Sequence, residues 1–248
     1  MYAWYAGGVR ALVIVPAYNE AASLPDVVAS LREHAPGCDV CVVDDGSTDA
    51  TAQVARRLGT LLLRSPVNLG IGGAVQTGYL WARDHGYEAA VQVDGDGQHD
   101  PRHVRAALDR LAAGADLVVG SRFAGGGSYR STSVRRAGIR YLAWVLRLRC
   151  GARVSDPTSG FRAAGRRAVE LFAHEYPSDY PEPESIGLAL RAGLAVAEIP
   201  VTMHPRRHGA SSIGALATVY YLVKVTLALL LLPGAAGRGR AAREGASP

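Results

Sequence analysis

Two aspartates one residue apart, Asp94 and Asp96, end a short alternating apolar stretch in the run VQVDGDGQHDP, Val91 to Pro101. A strand end that presents two carboxylates, with Gly95 and Gly97 leaving room beside them, offers hard oxygen ligands to Mg2+ or Mn2+ bridging a diphosphate. The chemistry implied is the handling of a nucleotide-activated substrate. An acidic turn closing a strand uses the same residue types, because Asp and Gly are common turn formers.

The elements around this run put further polar groups in comparable places. Up to Gly120 short apolar runs alternate with helix-length segments, the pattern of a parallel sheet covered on both faces. The pattern predicts strands at Ala11 to Val15, Val40 to Val43, Leu61 to Arg64, Ala89 to Val93 and Leu117 to Gly120. Helices are predicted from Ser23, placed to cap, to His34, and at Thr51 to Leu58, Gly72 to His85 and Arg102 to Ala113. Asn19 and Glu20, Asp44 and Asp45, Asn68, and then Asp94 and Asp96 each follow a strand. Open parallel sheets bind ligands at that edge. Beyond Gly120 come a glycine-rich loop (Ala124 to Ser128), a long arginine helix and a Pro/Glu-rich stretch, YPEPE. Loops of such length in a compact domain are usually functional.

The chain has 248 residues, 48% of them apolar, enough for one large domain. Its net charge of +5 rests on arginine, since Lys224 is the only lysine. No acidic residue lies between Asp116 and Asp156, a stretch holding Arg122, Arg130, Arg135, Arg136, Arg140, Arg147, Arg149 and Arg153. Guanidinium forks match phosphate oxygens. No helix-turn-helix or finger spacing appears in the sequence, so no nucleic-acid partner is expected. Cys38, Cys41 and Cys150 form no disulfide framework, and His99 and His103 lack the glutamate of a zinc-protease helix. The N-terminus shows no basic leader or apolar run of signal-peptide length, so a cytoplasmic active domain is expected. Ala215 to Leu232 is apolar apart from Lys224, two threonines and two tyrosines. Such a segment crosses a bilayer, lies in its interface, or is a buried core helix.

VIVPAYNE, VVDDGSTD, NLGIGGA and VDGDGQHDP, in this order and spacing, resemble the inverting family 2 glycosyltransferases of GT-A fold. Within that family the chain is similar to the dolichol-phosphate or polyprenyl-phosphate sugar synthases, over about residues 11 to 212. The resemblance implies an α/β, Rossmann-like fold with a mostly parallel sheet and a C-terminal hydrophobic helix. The expected division is a catalytic domain (1–212), then, from the apolar run, a membrane-associated or transmembrane helix (213–233) and, from its Gly, Ala, Arg and Ser composition, a disordered tail (234–248). The resemblance implies that Pro16, Ala17, Tyr18 and Glu20 line the nucleoside pocket and that Asp44 or Asp45 accepts hydrogen bonds from base or ribose. Asn68, Gly72 and Gly95 join that nucleotide-sugar set, the glycines by letting backbone approach ligand. By the same resemblance Asp94 and Asp96 hold Mg2+ or Mn2+, with Gln98 as a further ligand.

In the second half, DPTSGFR (Asp156 to Arg162) and RRHGASS (Arg206 to Ser212) also recur in the family. Arg122, Arg130, Arg135 and Arg136 are implied to meet an acceptor phosphate, and Arg206 to reach the donor diphosphate. The lysine that often follows in the second motif is here Ser212, and Glu184 matches the single glutamate of the related synthases. The activity implied is metal-dependent, inverting transfer of a hexosyl group from GDP-mannose or a UDP-sugar to polyprenyl or dolichyl phosphate. Asp96, Asp156, Glu184 and Arg206 form the implied catalytic set, and the setting is the cytoplasmic face of the cell membrane. The oligomeric state stays open, a homo-oligomer included. A phosphate acceptor is already anionic and needs no strong base. A sugar hydroxyl acceptor, in cell-envelope or natural-product glycan synthesis, needs a carboxylate to take its proton, for which Asp156 and Glu184 are the candidates. A sugar-1-phosphate nucleotidyltransferase is the remaining alternative, but VPAYNE lacks its glycine-rich turn and basic cluster.

Overall fold

A computed structural model of the chain describes residues 9–125, 132–151, 153–204 and 215–231. The alternating half forms β1 (Ala11–Ala17), α1 (Leu24–His34), β2 (Cys38–Asp44), α2 (Thr51–Arg57) and β3 (Leu61–Arg64). It continues with α3 (Gly70–Asp84), β4 (Ala89–Gln92), α4 (His103–Ala112) and β5 (Leu117–Ser121). The second half adds α5 (Ser133–Cys150), β6 (Arg162–Gly165), α6 (Arg166–His174), α7 (Pro181–Arg191), β7 (Val196–Pro200) and α8 (Ala215–Leu231).

The described strands make one seven-stranded sheet in the order β3-β2-β1-β4-β6-β5-β7. Its centre is apolar on both sides because both faces are covered. On β1, Leu12 and Ile14 enter one core with Tyr79 of α3, Leu142 of α5 and Phe172 of α6. Ala11, Val13 and Val15 enter the other with Leu24 and Leu31 of α1 and Val104 of α4. That alternation is the period-2 pleat, and it explains why the strand reads as a continuous apolar run.

The expectation of a mostly parallel sheet holds, with two strands unforeseen, β6 and the parallel edge strand β7 beside β5. β6 lies antiparallel between β4 and β5, pairing Gln92 with Arg162 on one side and Val119 with Arg162 on the other. Its four residues, RAAG, are too short and too small to announce a strand in sequence. The insertion brings the 156–161 loop to the edge where β4 ends.

Ser23 precedes α1, as expected, but makes no side-chain cap. Its hydroxyl donates instead to Glu20 Oε2 at 2.6 Å. The arginine helix, α5, is capped by Thr132, whose side chain accepts from the Arg135 N–H, and ends at Gly151, whose φ of 69° is left-handed. α8 packs against α5 and α7, with Val225 and Leu229 fully buried in the first core. No helix of the described residues is long and apolar enough to cross a membrane.

Candidate active site

A cavity of about 310 Å³ opens at the C-terminal ends of β1, β2 and β4. Four carboxylates line it, those of Glu20, Asp45, Asp94 and Asp96, and no basic side chain does so among the described residues. Pro16, Ala17, Tyr18, Asn68 and Gly95 complete most of the nucleotide set expected from sequence. A diphosphate entering this cavity meets like charge, which a cation must offset.

Asp94 is fixed from behind. Gln92 Nε2 donates to its Oδ1 at 3.0 Å, and its own N–H donates to His99 Nδ1 at 3.0 Å. With Nδ1 accepting, neutral His99 carries its proton on Nε2, which lies 3.7 Å from Asp94 Oδ2. His99 is itself buried with its ring edge-on to Phe161. A Cβ at Gly160 would sit 3.1 Å from Asp94 Oδ2, so a glycine there leaves the carboxylate its place. Asp96 is turned by the Gln98 N–H, which donates to its Oδ1 at 2.9 Å.

Among the described residues no three His, Cys, Asp or Glu side chains converge on one point. A cation at Asp94 and Asp96 would take two carboxylates from the protein and the rest of its shell from diphosphate and water, an arrangement usual for Mg2+. The donor set is hard oxygen throughout and fits Mg2+ or Mn2+. Gln98 is not among the cavity-lining residues, and its amide nitrogen leans 3.5 Å from the His204 carbonyl.

The loops after β1 and β2 brace each other. Asn19, at a positive φ of 57°, accepts through Oδ1 from the Thr48 and Asp49 N–H groups. The Thr51 hydroxyl accepts from the Glu20 N–H. Of the two aspartates left open by sequence, Asp45 lines the cavity, and its Oδ1 accepts from the Leu69 N–H at 2.8 Å. Asp44 is fully buried, accepts from the Ser47 N–H, and faces Arg64 at 3.2 Å. Arg64 lines a different cavity of about 490 Å³ with Gly46, Ser47 and Thr48.

Gly72 does not serve as a ligand approach. A Cβ there would stand 2.2 Å from the carbonyl oxygens of Pro177 and Ser178, so this glycine lets α3 close against that segment. Gly70 and Ile71 line the cavity in its place.

The second half departs further from expectation. Arg122 and Asp156 form a buried pair, Nε to Oδ2 and Nη2 to Oδ1 each at 2.6 Å, with Thr158 also taking Nη2. Asp156 is wholly buried and Arg122 nearly so. Withdrawing either toward a substrate would strand a buried charge. Asp156 and Arg122 are thus engaged with each other in the interior, and neither lines the cavity. Arg162, not singled out from sequence beyond its motif, is also wholly buried and donates to the carbonyls of Pro157 and Ser159 and to the Ser185 hydroxyl. It ties the 157–160 loop to the first turns of α7.

α7 starts at Tyr180, whose φ of 53° is left-handed for a non-glycine residue. Of its two glutamates the sequence points to Glu184, but the charged neighbours of Glu184 are Lys224 and Asp179, away from the cavity, together with Glu182. Those acting on Glu182 are Arg162, Asp94 and Arg122. Burial raises the carboxyl pKa of Glu182, against the lowering effect of Arg162. Glu182 is thus the glutamate on the Asp94 side. Arg135 and Arg136 are exposed in the first turn of α5. Arg130 and Arg206 lie outside the described residues.

Residues 12–171 match the model for glycosyl transferase family 2. The chain is 34% identical to polyprenol monophosphomannose synthase of Mycolicibacterium smegmatis, over 82% of this chain and 80% of that protein. It is 33% identical to undecaprenyl-phosphate mannosyltransferase of Micrococcus luteus, over 82% of this chain and 86% of that one. Its fold matches the crystal structure of glucosyl-3-phosphoglycerate synthase from Mycobacterium tuberculosis, with a TM-score of 0.71 at 23% identity, covering 92% of this chain and 82% of that one.

Proposed function

Because the chain belongs to glycosyl transferase family 2 and is a glycosyltransferase, we propose that it moves a hexosyl group from GDP-mannose or a UDP-sugar to the phosphate of a polyprenyl or dolichyl lipid, inverting the anomeric carbon. One observation carries the reading. The cavity at the sheet edge offers four carboxylates and, among the described residues, no cation, which suits a diphosphate delivered with its own metal ion. The names of the two relatives support the lipid phosphate as acceptor.

Asp94 and Asp96 would hold Mg2+ or Mn2+, with Gln98 acting through its backbone N–H, which fixes Asp96. When bound, that ion neutralises charge growing on the departing nucleoside diphosphate. Asp45 and Glu20 accept from base or ribose hydroxyls, and Tyr18 lies half-exposed at the mouth. Gln92 and His99 keep Asp94 in a single orientation. Arg130, Arg135, Arg136 and Arg206 supply counter-charge for two phosphorylated substrates brought together. The acceptor phosphate attacks as an anion, so no side chain has to remove its proton.

Glu182 supports a second reading. A carboxylate on the Asp94 side whose pKa is raised by burial is a better proton acceptor than an ordinary one, which suits a hydroxyl acceptor.

The test is a panel of GDP- and UDP-sugars with purified protein and Mn2+, with and without a short polyprenyl phosphate, read as nucleoside diphosphate release. Lipid-dependent release from one donor is expected, reduced about a hundredfold or more by Asp94→Asn or Asp96→Asn, since several kcal/mol of charge stabilisation are lost. Undiminished transfer in the double variant would overturn the assignment. Glu182→Gln separates the acceptors: near-normal turnover accords with lipid phosphate, and lost turnover with intact donor binding accords with a hydroxyl.

A further inference from the structure

The chain that leaves β7 turns back over the acidic turn. The Val201 N–H donates to the Ser121 carbonyl at 2.9 Å, at the end of the sheet. Met203 then makes an isolated antiparallel bridge with His99, and the His204 N–H donates to the Gln98 carbonyl at 2.8 Å. Gln98 is therefore held through both of its backbone groups. Its carbonyl accepts from His204, 106 residues further along the chain, while its own N–H donates to Asp96 Oδ1 at 2.9 Å. The orientation of Asp96 thus rests on a backbone strap, residues 201–204.

The side chains that fasten this strap come from the start of α4. His103 Nε2 accepts from the Thr202 N–H at 2.8 Å. Asp100 Oδ2 stands 3.4 Å from His204 Nε2, a longer contact, and Asp100 is already engaged by Arg102. His103 is the closer fastening. With Nε2 accepting, its neutral ring carries the proton on Nδ1. Burial lowers the pKa of this imidazole and so favours the neutral form. The ring stands edge-on to Phe161 with centroids 6.4 Å apart, and Phe161 meets the His99 ring in the same way at 5.8 Å. Two histidines four positions apart thus share one phenylalanine and hold different backbone groups, His99 the N–H of Asp94 and His103 that of Thr202.

We propose that His103 is a positioning residue for the metal-binding turn, acting on Asp96 through the Thr202–His204 strap and the Gln98 peptide. His103 lines no part of the cavity. Without its acceptor the Thr202 N–H loses its partner, and a backbone donor left unpaired turns toward water. The strap then loosens, and with it the peptide that fixes Asp96. The inference rests on the reading that Asp94 and Asp96 hold the cation. Two substitutions separate the acceptor from the ring. Phenylalanine keeps a ring against Phe161 but accepts nothing, whereas the amide oxygen of glutamine falls the same number of bonds from Cβ as Nε2 does and can accept from Thr202.

The experiment uses the full chain with GDP and, separately, UDP. Mn2+ is titrated while the free-ion electron paramagnetic resonance signal is followed, and thermal melting and amide hydrogen exchange at Thr202 and His204 are measured alongside. His103→Phe is expected to weaken Mn2+ binding about tenfold and to speed exchange at both amides, whereas His103→Gln stays within about threefold of the parent. Melting near that of the parent shows that a variant has folded, and His103→Leu serves if the phenylalanine variant does not fold. A folded His103→Phe that binds Mn2+ as the parent does would overturn the inference and leave Asp94 and Asp96 as the cation's ligands. So would a glutamine variant as weak as the phenylalanine one, because ring packing and not the acceptor would then be the cause. A parent that binds no Mn2+ with either nucleotide would overturn the metal reading itself, and this inference with it.

Discussion

Asp94 is held by two side chains that do not line the cavity, Gln92 and His99. Partners behind a metal-binding carboxylate typically matter by 10- to 100-fold in affinity. Gln92→Leu and His99→Leu should each weaken Mn2+ binding by about tenfold with little change in melting temperature. A Mn2+ titration in the presence of nucleoside diphosphate reads this, and an unchanged affinity would remove both residues from the site. Gly72 makes the opposite case. Its missing Cβ leaves space for the carbonyls of Pro177 and Ser178, so Gly72→Ala should cost about 2–3 kcal/mol of stability. Donor affinity of the folded fraction should be unaffected. Denaturant unfolding alongside donor titration separates the two effects. In sequence these roles were indistinguishable, because a glycine that admits a ligand and one that admits another chain segment are the same letter in the same motif.

At the scale of elements, the turn between β4 and α4 is held by Asp100. Burial works to raise its pKa, but hydrogen bonds from the Arg102 side chain and N–H outweigh it and hold the carboxyl well below the usual range. Its folded pKa lies below the unfolded one, so the stabilisation is present above about pH 4 and is lost as pH falls below that. Asp100→Asn should lower stability at pH 7 by about 1–2 kcal/mol, with the gap narrowing at pH 3. Denaturant curves at both values check this, and a gap independent of pH would contradict it. The strands and helices up to Gly120 were legible because each buried strand or amphipathic helix imposes its own period. The pairing of Asp156 with Arg122 was not legible for a physical reason: sequence shows that a carboxylate and a guanidinium exist, not that they face each other at 2.6 Å in the interior. Glu182 and Glu184 differ by two positions in one helical turn, and only the packing of α7 decides which carboxyl comes within electrostatic reach of Asp94.

Taken whole, the molecule treats α8 as part of its core. Leu229 is fully buried there, and Leu229→Ala should cost about 2–4 kcal/mol. Thermal or denaturant melting measures this, and a cost near zero would mean that the helix only rests on the surface. The segment is apolar on both sides because one side meets the domain and the other is left outward, which sequence alone reads equally as a membrane span. The β6 strand joins two otherwise separate groups of strands, β3-β2-β1-β4 and β5-β7. In chain order the first 92 residues supply four adjacent strands, and β5 pairs with none of them. Only with Arg162 to Gly165 does a wedge running the other way fasten the two groups. A chain ending before that wedge would carry Asp94 and Asp96 yet lack Gly160, which lies against Asp94, and Phe161, which meets the His99 ring.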